Sequence, residues 1–186
     1  MGNHTLIIGG ARSGKSSLAE KQAKNSSGRV VYIATAISFD EGMKDRIKKH
    51  RSTRPDDWET IEQFKGFKDL SKNLAFLESD IIILDCITLM VSNLMLESGL
   101  DFDNCNMEEV DKLESYIFKE IEGLLEVVDL HNKQIILVTN EVGMGLVPPY
   151  RLGNIFRDIA GRVNQYLARK AKRVYFVVSG IPMKIK

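Results

Sequence analysis

The sequence predicts an α/β fold in which a mostly parallel sheet is covered by helices on both faces. Three observations predict it. Continuous apolar, partly β-branched runs recur along the chain, stretches of helical length separate them, and the runs stop at polar or glycine-containing turns. A strand with one solvated face alternates apolar and polar residues. These runs do not alternate, so they read as central strands buried on both sides.

The first run, TLIIGG, ends at Gly9 and Gly10, and a helix follows over Ser16–Lys24. RVVYIATA, after a Ser-Gly break, reads as the second strand, and DIIILDC as the third. Met107–Leu130 is long and patterned enough to be a helix before the fourth run, KQIILVTNEV, and RVYFVVSG closes the series. Ligands of such sheets bind beyond the carboxyl ends of the strands. The informative residues fall there: after Ile8, after Ile33, at Asp85 and at Asn140–Glu141. The most loop-like stretches are Ser92–Asn106, holding Gly99, and Val142–Gly153, holding Pro148 and Pro149. Both are candidates for mobile or subunit-contact regions.

With 186 residues, 44% hydrophobic and 27% charged, the chain is expected to form one domain over residues 1–186. No repeat, linker or low-complexity tract divides it. Lys plus Arg number 26 against 25 Asp plus Glu, and the net charge of +1 argues against broad coating of nucleic acid. Cys86 and Cys105, without CxxC spacing, suit a reducing compartment better than a disulfide framework or zinc site. The first residues, MGNHTLIIGG, lack a signal-peptide layout, Leu6 breaks the myristoylation pattern, and no apolar run is long enough to span a bilayer. The expectation is a cytoplasmic protein with no nucleic-acid partner and no membrane insertion.

GGARSGKS, comprising Gly9, Gly10, Ala11, Arg12, Ser13, Gly14, Lys15 and Ser16, matches G-x-x-x-x-G-K-[ST] between an expected strand and an expected helix. Glycines let backbone N–H groups converge on phosphate oxygens, and Lys15 supplies a compact cation. Ser16 offers a hydroxyl to Mg²⁺, and the helix N-terminus adds its dipole. DIIILDC ends in Asp85, a position from which a carboxylate can hold the same ion. Asp85 could instead cap the following turn. A nucleoside triphosphate is the expected ligand, and the absence of an N-K-x-D signature argues against an ordinary small GTPase.

RIKKHRSTR, Arg46–Arg54, is the densest basic stretch, with five cations around His50. Met43, Ile47 and His50 share one helical face, where a histidine is often just a packing residue. Yet Lys48, Lys49, Arg51 and Arg54 repel one another unless an anion visits. Cations beside an imidazole also favour its neutral form, which can attack phosphorus and form a phosphoramidate. Arg51 and Arg54 could then carry the charge of a leaving pyrophosphate.

In chain order GGARSGKS, YIATA, RIKKHRSTRPDDWETIE, LDCITLMVSNL, VTNEVGMGLVP and FRDIAGRVNQYLA with VVSGIPMKIK closely resemble the bifunctional adenosylcobinamide kinase / adenosylcobinamide-phosphate guanylyltransferases of cobalamin biosynthesis. The resemblance covers nearly the whole chain. It implies a P-loop NTPase fold of the RecA-like kind, assembled as a homotrimer. It also implies phosphorylation of the aminopropanol hydroxyl of adenosylcobinamide by ATP or GTP with Mg²⁺. GMP transfer from GTP to that phosphate follows, through a covalent intermediate on His50. Carried over by position, the nucleotide-binding residues are Gly9–Ser16; Thr35, Ala36 and Ile37 after the second strand; Arg51, Ser52, Thr53 and Arg54; and the acidic Glu62 and Asp85. Catalysis falls to His50 and Lys15, and metal binding to Ser16 and Asp85. The chain departs from many relatives at Lys172 and Arg173, where they carry acidic residues. Two rival readings remain: a P-loop small-molecule kinase without guanylyl transfer, and a RecA-like nucleotide-binding module.

Overall fold

The computed structural model describes residues 3–36, 55–145 and 147–186. Its centre is a seven-stranded sheet in the order β3-β2-β4-β5-β1-β6-β7. The strands are β1 (Asn3–Gly9), β2 (Val30–Ala34), β3 (Glu59–Glu62), β4 (Ile81–Asp85), β5 (Gln134–Asn140), β6 (Arg173–Val178) and β7 (Ile181–Lys184). All neighbours pair in parallel except β6 and β7, which form an antiparallel hairpin. The helices are α1 (Lys15–Lys24), α2 (Leu74–Glu78), α3 (Ile87–Glu97), α4 (Met107–Leu130) and α5 (Arg151–Lys170), with a 3-10 turn at Phe67–Lys72.

Alternation along the strands sorts the apolar residues into two cores, one on each face. Leu6, Val31, Ile33, Ile82, Leu84, Ile135 and Leu137 face the larger core with α3, α4 and α5. Their neighbours Ile7, Val30, Tyr32, Ile81, Ile83, Ile136 and Val138 face the smaller core, where α1 packs through Ala19 and Ala23. Both members of each alternating pair must therefore be apolar, so the runs read as continuous. Two methyl-sized contacts let α1 lie close to the sheet.

The strands expected at TLIIGG, RVVYIATA, DIIILDC, KQIILVTNEV and RVYFVVSG are all present, as is the helix at Met107–Leu130. The expected Ser16–Lys24 helix begins one residue earlier, at Lys15. Two edge strands carried no comparable signal. β3 is four residues long, and β7 contains Pro182, which an edge strand tolerates because one side of its backbone needs no partner.

The expected loop at Ser92–Asn106 requires correction. Helix α3 runs on to Glu97, because Ile87, Met90, Val91, Leu94 and Met95 form one buried stripe with helical spacing. The polar residues there occupy the rest of the helix, and chain reversal waits for Gly99, which has a left-handed φ of 70°. The loop begun at Val142 likewise ends where α5 starts, at Arg151.

Helix α4 opens with a reciprocal cap. Asn106 Oδ1 accepts from Glu109 N–H at 3.0 Å, and Glu109 Oε2 accepts from Asn106 N–H at 2.9 Å. Asn106→Ala should lower the free energy of unfolding by about 1 kcal/mol. Urea titration would read this as a lower midpoint at an unchanged slope.

Candidate active site

The chain reverses direction across the sheet at β1. The elements from β2 to β5 lie on one side of it, and β6 and β7 on the other. In a sheet wound this way the crevice opens beyond the carboxyl end of the switch strand. Gly9–Ser16 occupies that position.

The loop is packed from two sides. A Cβ on Gly9 would run into the Val177 carbonyl oxygen of β6, so only glycine fits. Gly14 has φ 96°, and a Cβ there would stand 3.2 Å from Gly180 Cα in the β6–β7 turn. Gly180 N–H donates to the Ser13 carbonyl at 2.8 Å, and from the β5 side Glu141 N–H donates to the Gly9 carbonyl at 2.9 Å. Gly10, Ala11 and Arg12 are exposed at the crest, and Arg12 adopts a positive φ of 54°. Ser13 Oγ is buried without a hydrogen-bond partner among the described residues. The first helical hydrogen bond, Leu18 N–H to the Gly14 carbonyl at 3.0 Å, leaves the leading N–H groups of α1 pointing out of the helix.

Lys15 is buried and donates to the Gly10 carbonyl at 2.5 Å. Burial lowers its pKa from the ordinary lysine value, while Cys86 and Asp85 act in the opposite sense. Those opposing interactions place the ammonium within electrostatic reach of the β4 terminus. Asp85 has the same strand parity as Ile81 and Ile83, on the α1 face, and its Oδ2 accepts from the Tyr32 hydroxyl at 2.7 Å. The Asp85–Cys86 peptide bond is cis. Burial, and then the Asp85 charge, push the Cys86 thiol up to about 12, so it remains protonated and is no nucleophile at neutral pH. The assembly suits a polyanion: glycine-exposed backbone N–H groups, a helix N-terminus, a desolvated ammonium and a nearby carboxylate.

The fold thus gathers Gly9–Ser16, Thr35, Ala36 and Asp85 along one edge. Glu62 is exposed at the end of β3, in register with Ala34. It lies four strand spacings from β1, roughly 19 Å at the usual interstrand distance. Glu62 therefore does not join the cradle itself. Ile37, His50, Arg51, Ser52, Thr53 and Arg54 lie outside the described residues, as does the helical face expected for Met43, Ile47 and His50.

Sequence reading passed over the buried polar groups beneath this edge. Thr139 donates to Asn164 Oδ1 at 2.8 Å, so the 3.1 Å contact between Thr88 and Thr139 must use the Thr88 proton. Thr88 accepts from Asn140 N–H at 2.6 Å, and Asn164 Nδ2 returns to the Asn140 carbonyl at 3.0 Å. This closed ring ties α3 and α5 to the end of β5. A second set joins Thr35, Cys86 and Asn93. Asn or Thr amid apolar residues was the available signal, but sequence alone does not pair residues that far apart.

A family model described as cobinamide kinase / cobinamide phosphate guanyltransferase matches residues 5–185. The chain is 44% identical to the bifunctional adenosylcobalamin biosynthesis protein CobU of Escherichia coli, over 97% of this chain and 98% of that protein. It is also 44% identical to CobU of Salmonella typhimurium, over 97% and 98% of the two chains. Similarity to the bifunctional adenosylcobalamin biosynthesis protein CobP of Pseudomonas aeruginosa is 39%, over 97% and 96%.

Two outcomes are expected from the charge environment. Free Lys15 gives up its proton below the ordinary lysine value, whereas a polyphosphate beside it favours the ammonium form. Affinity for a fluorescent nucleoside triphosphate should therefore fall as pH rises from that lowered pKa toward the higher pKa in the complex. Lys15→Ala should flatten this slope. Cys86 and Cys105 are both buried and should resist iodoacetamide at mildly alkaline pH, reacting quickly once urea unfolds the chain.

Proposed function

The chain belongs to the cobinamide kinase / cobinamide phosphate guanyltransferase family, and from that premise we propose that it performs both reactions on adenosylcobinamide. The observation that carries this reading is the cradle itself, with buried Lys15 held inside a glycine loop in electrostatic reach of Asp85.

In the first reaction the cradle N–H groups and Lys15 bind the phosphates of ATP or GTP. The aminopropanol hydroxyl of adenosylcobinamide attacks the γ-phosphorus, and the bond to the nucleoside diphosphate breaks. Preorganised donors at the phosphoryl oxygens stabilise the charge that develops there. Ser16 and Asp85 offer hard oxygen donors of the kind Mg²⁺ takes when phosphate and water complete its shell, and these residues fit that ion. Bound there, Mg²⁺ would neutralise phosphate charge.

In the second reaction neutral His50 attacks the α-phosphorus of GTP. An N–P bond forms, the bond between the α- and β-phosphates breaks, and pyrophosphate leaves against Arg51 and Arg54. Ser52 and Thr53 lie between them in the same nucleotide-binding stretch, with Ile37 and Glu62 as further contacts. A phosphate oxygen of adenosylcobinamide phosphate then attacks that phosphorus. The N–P bond breaks, the imidazole is regenerated, and adenosylcobinamide-GDP is released. We assign the chain to the cytoplasm, working as one domain in a homotrimer. No described helix is long and apolar enough to cross a membrane.

Incubation with GTP labelled at the α-phosphate, with Mg²⁺, should transfer label to the protein. The label should be acid-labile and alkali-stable, and His50→Ala should abolish it. Phosphorylated adenosylcobinamide without protein label under turnover conditions would leave a kinase alone. Hydrolysis stimulated by nucleic acid, with no corrinoid product, would defeat both activities.

A further inference from the structure

Thr35 is 1% exposed, and each of its polar groups is engaged inside the protein. Its N–H donates to the Asp85 carbonyl at 3.1 Å. Its hydroxyl donates to the Cys86 carbonyl at 2.7 Å and accepts from Cys86 N–H at 2.8 Å. Its carbonyl accepts from Asn93 Nδ2 at 2.7 Å, and Asn93 on α3 is itself 4% exposed. Thr35 has the parity of Val31 and Ile33, on the α3 face, whereas Asp85 and Lys15 work on the α1 face. Its hydroxyl proton is already given to protein, and by strand parity its side chain lies on the opposite face from Asp85.

We propose that Thr35 and Asn93 are positioning residues that clamp the end of β2 to the Asp85–Cys86 backbone, and that the Thr35 side chain does not contact the nucleotide. The clamp sits at a junction. Asp85 emerges from one side of it, and on the other the chain leaves through Ala36 into the stretch that carries His50. One threonine thereby fixes, relative to each other, the Asp85 end of β4 and the point at which the chain leaves β2. The proposal rests on the two-reaction reading above.

Thr35→Val preserves shape and removes the hydroxyl, leaving the buried Cys86 N–H without its partner, while the Cys86 carbonyl keeps only the Met90 N–H at 3.1 Å. A misplaced supporting group typically costs roughly 10- to 100-fold in activity, and that loss is expected in kcat for phosphorylation and for GMP transfer. The directly measured Kd for the triphosphate should stay within about twofold, because the cradle is untouched. Thr35→Ser restores the hydroxyl and should restore kcat. Loss of affinity in proportion to kcat, or an undisturbed kcat in Thr35→Val, overturns the clamp. Should Thr35→Val fail to fold, Asn93→Ala removes the other half of the contact and is read by the same split. Wild-type protein that forms neither product defeats the reaction assignment instead. The clamp is then still read from Cys86: faster iodoacetamide labelling in folded Thr35→Val than in wild type supports it, and an unchanged rate overturns it.

Discussion

The close approach of β6 to the phosphate loop is the constraint on which the carboxyl edge of the sheet depends. Parallel pairing of β1 with β6 puts the Val177 carbonyl where a Gly9 side chain would begin. It also sets the β6–β7 turn against Gly14 and lets Gly180 N–H reach Ser13. The chain leaving β1 has a wall on one side and β5 on the other, where Glu141 N–H holds the Gly9 carbonyl. It can only curl outward before entering α1. The curl leaves the Gly9, Gly10 and Ser13 carbonyls engaged by protein donors, with Gly10, Ala11 and Arg12 exposed at its crest.

The two faces of the sheet divide the work that follows. Lys15 and Asp85 stand on the α1 face, where the partly buried ammonium lies within electrostatic reach of the carboxylate. The opposite face holds uncharged hydroxyl and amide groups, closed into the Thr88–Thr139–Asn164–Asn140 ring and the Thr35–Cys86–Asn93 set. A buried polar group without a partner is costly, so these networks tolerate few geometries. They anchor the ends of β2, β4 and β5 to α3 and α5, and the charged face inherits their precision.

Much of this was legible in the sequence, for a physical reason in each case. A strand covered on both faces must be apolar throughout, so DIIILDC and KQIILVTNEV announced themselves. The turn at Gly9 and Gly14 could be read because a glycine loop between strand and helix depends on local backbone freedom. Ser92–Glu97 was misjudged because composition outweighed spacing: the buried stripe of α3 runs through its polar residues. β3 and β7 escaped because a short edge strand draws its stability from its neighbour rather than from its own residues.

The sequence by itself determined the order of the five apolar strands, the glycine-rich turn of Gly9–Ser16 between β1 and α1 and the family to which the chain is similar. All of these reside in local pattern or in residue identity. Only the tertiary structure decided which residues meet. It brought Asp85 of β4 toward Lys15 and set Glu62 at the far edge. It also turned Thr35, which sequence similarity offers as a nucleotide contact, into the buried side chain that joins β2 to β4. Those facts depend on strand order and on which face each residue occupies, and a linear sequence carries neither until the sheet has formed.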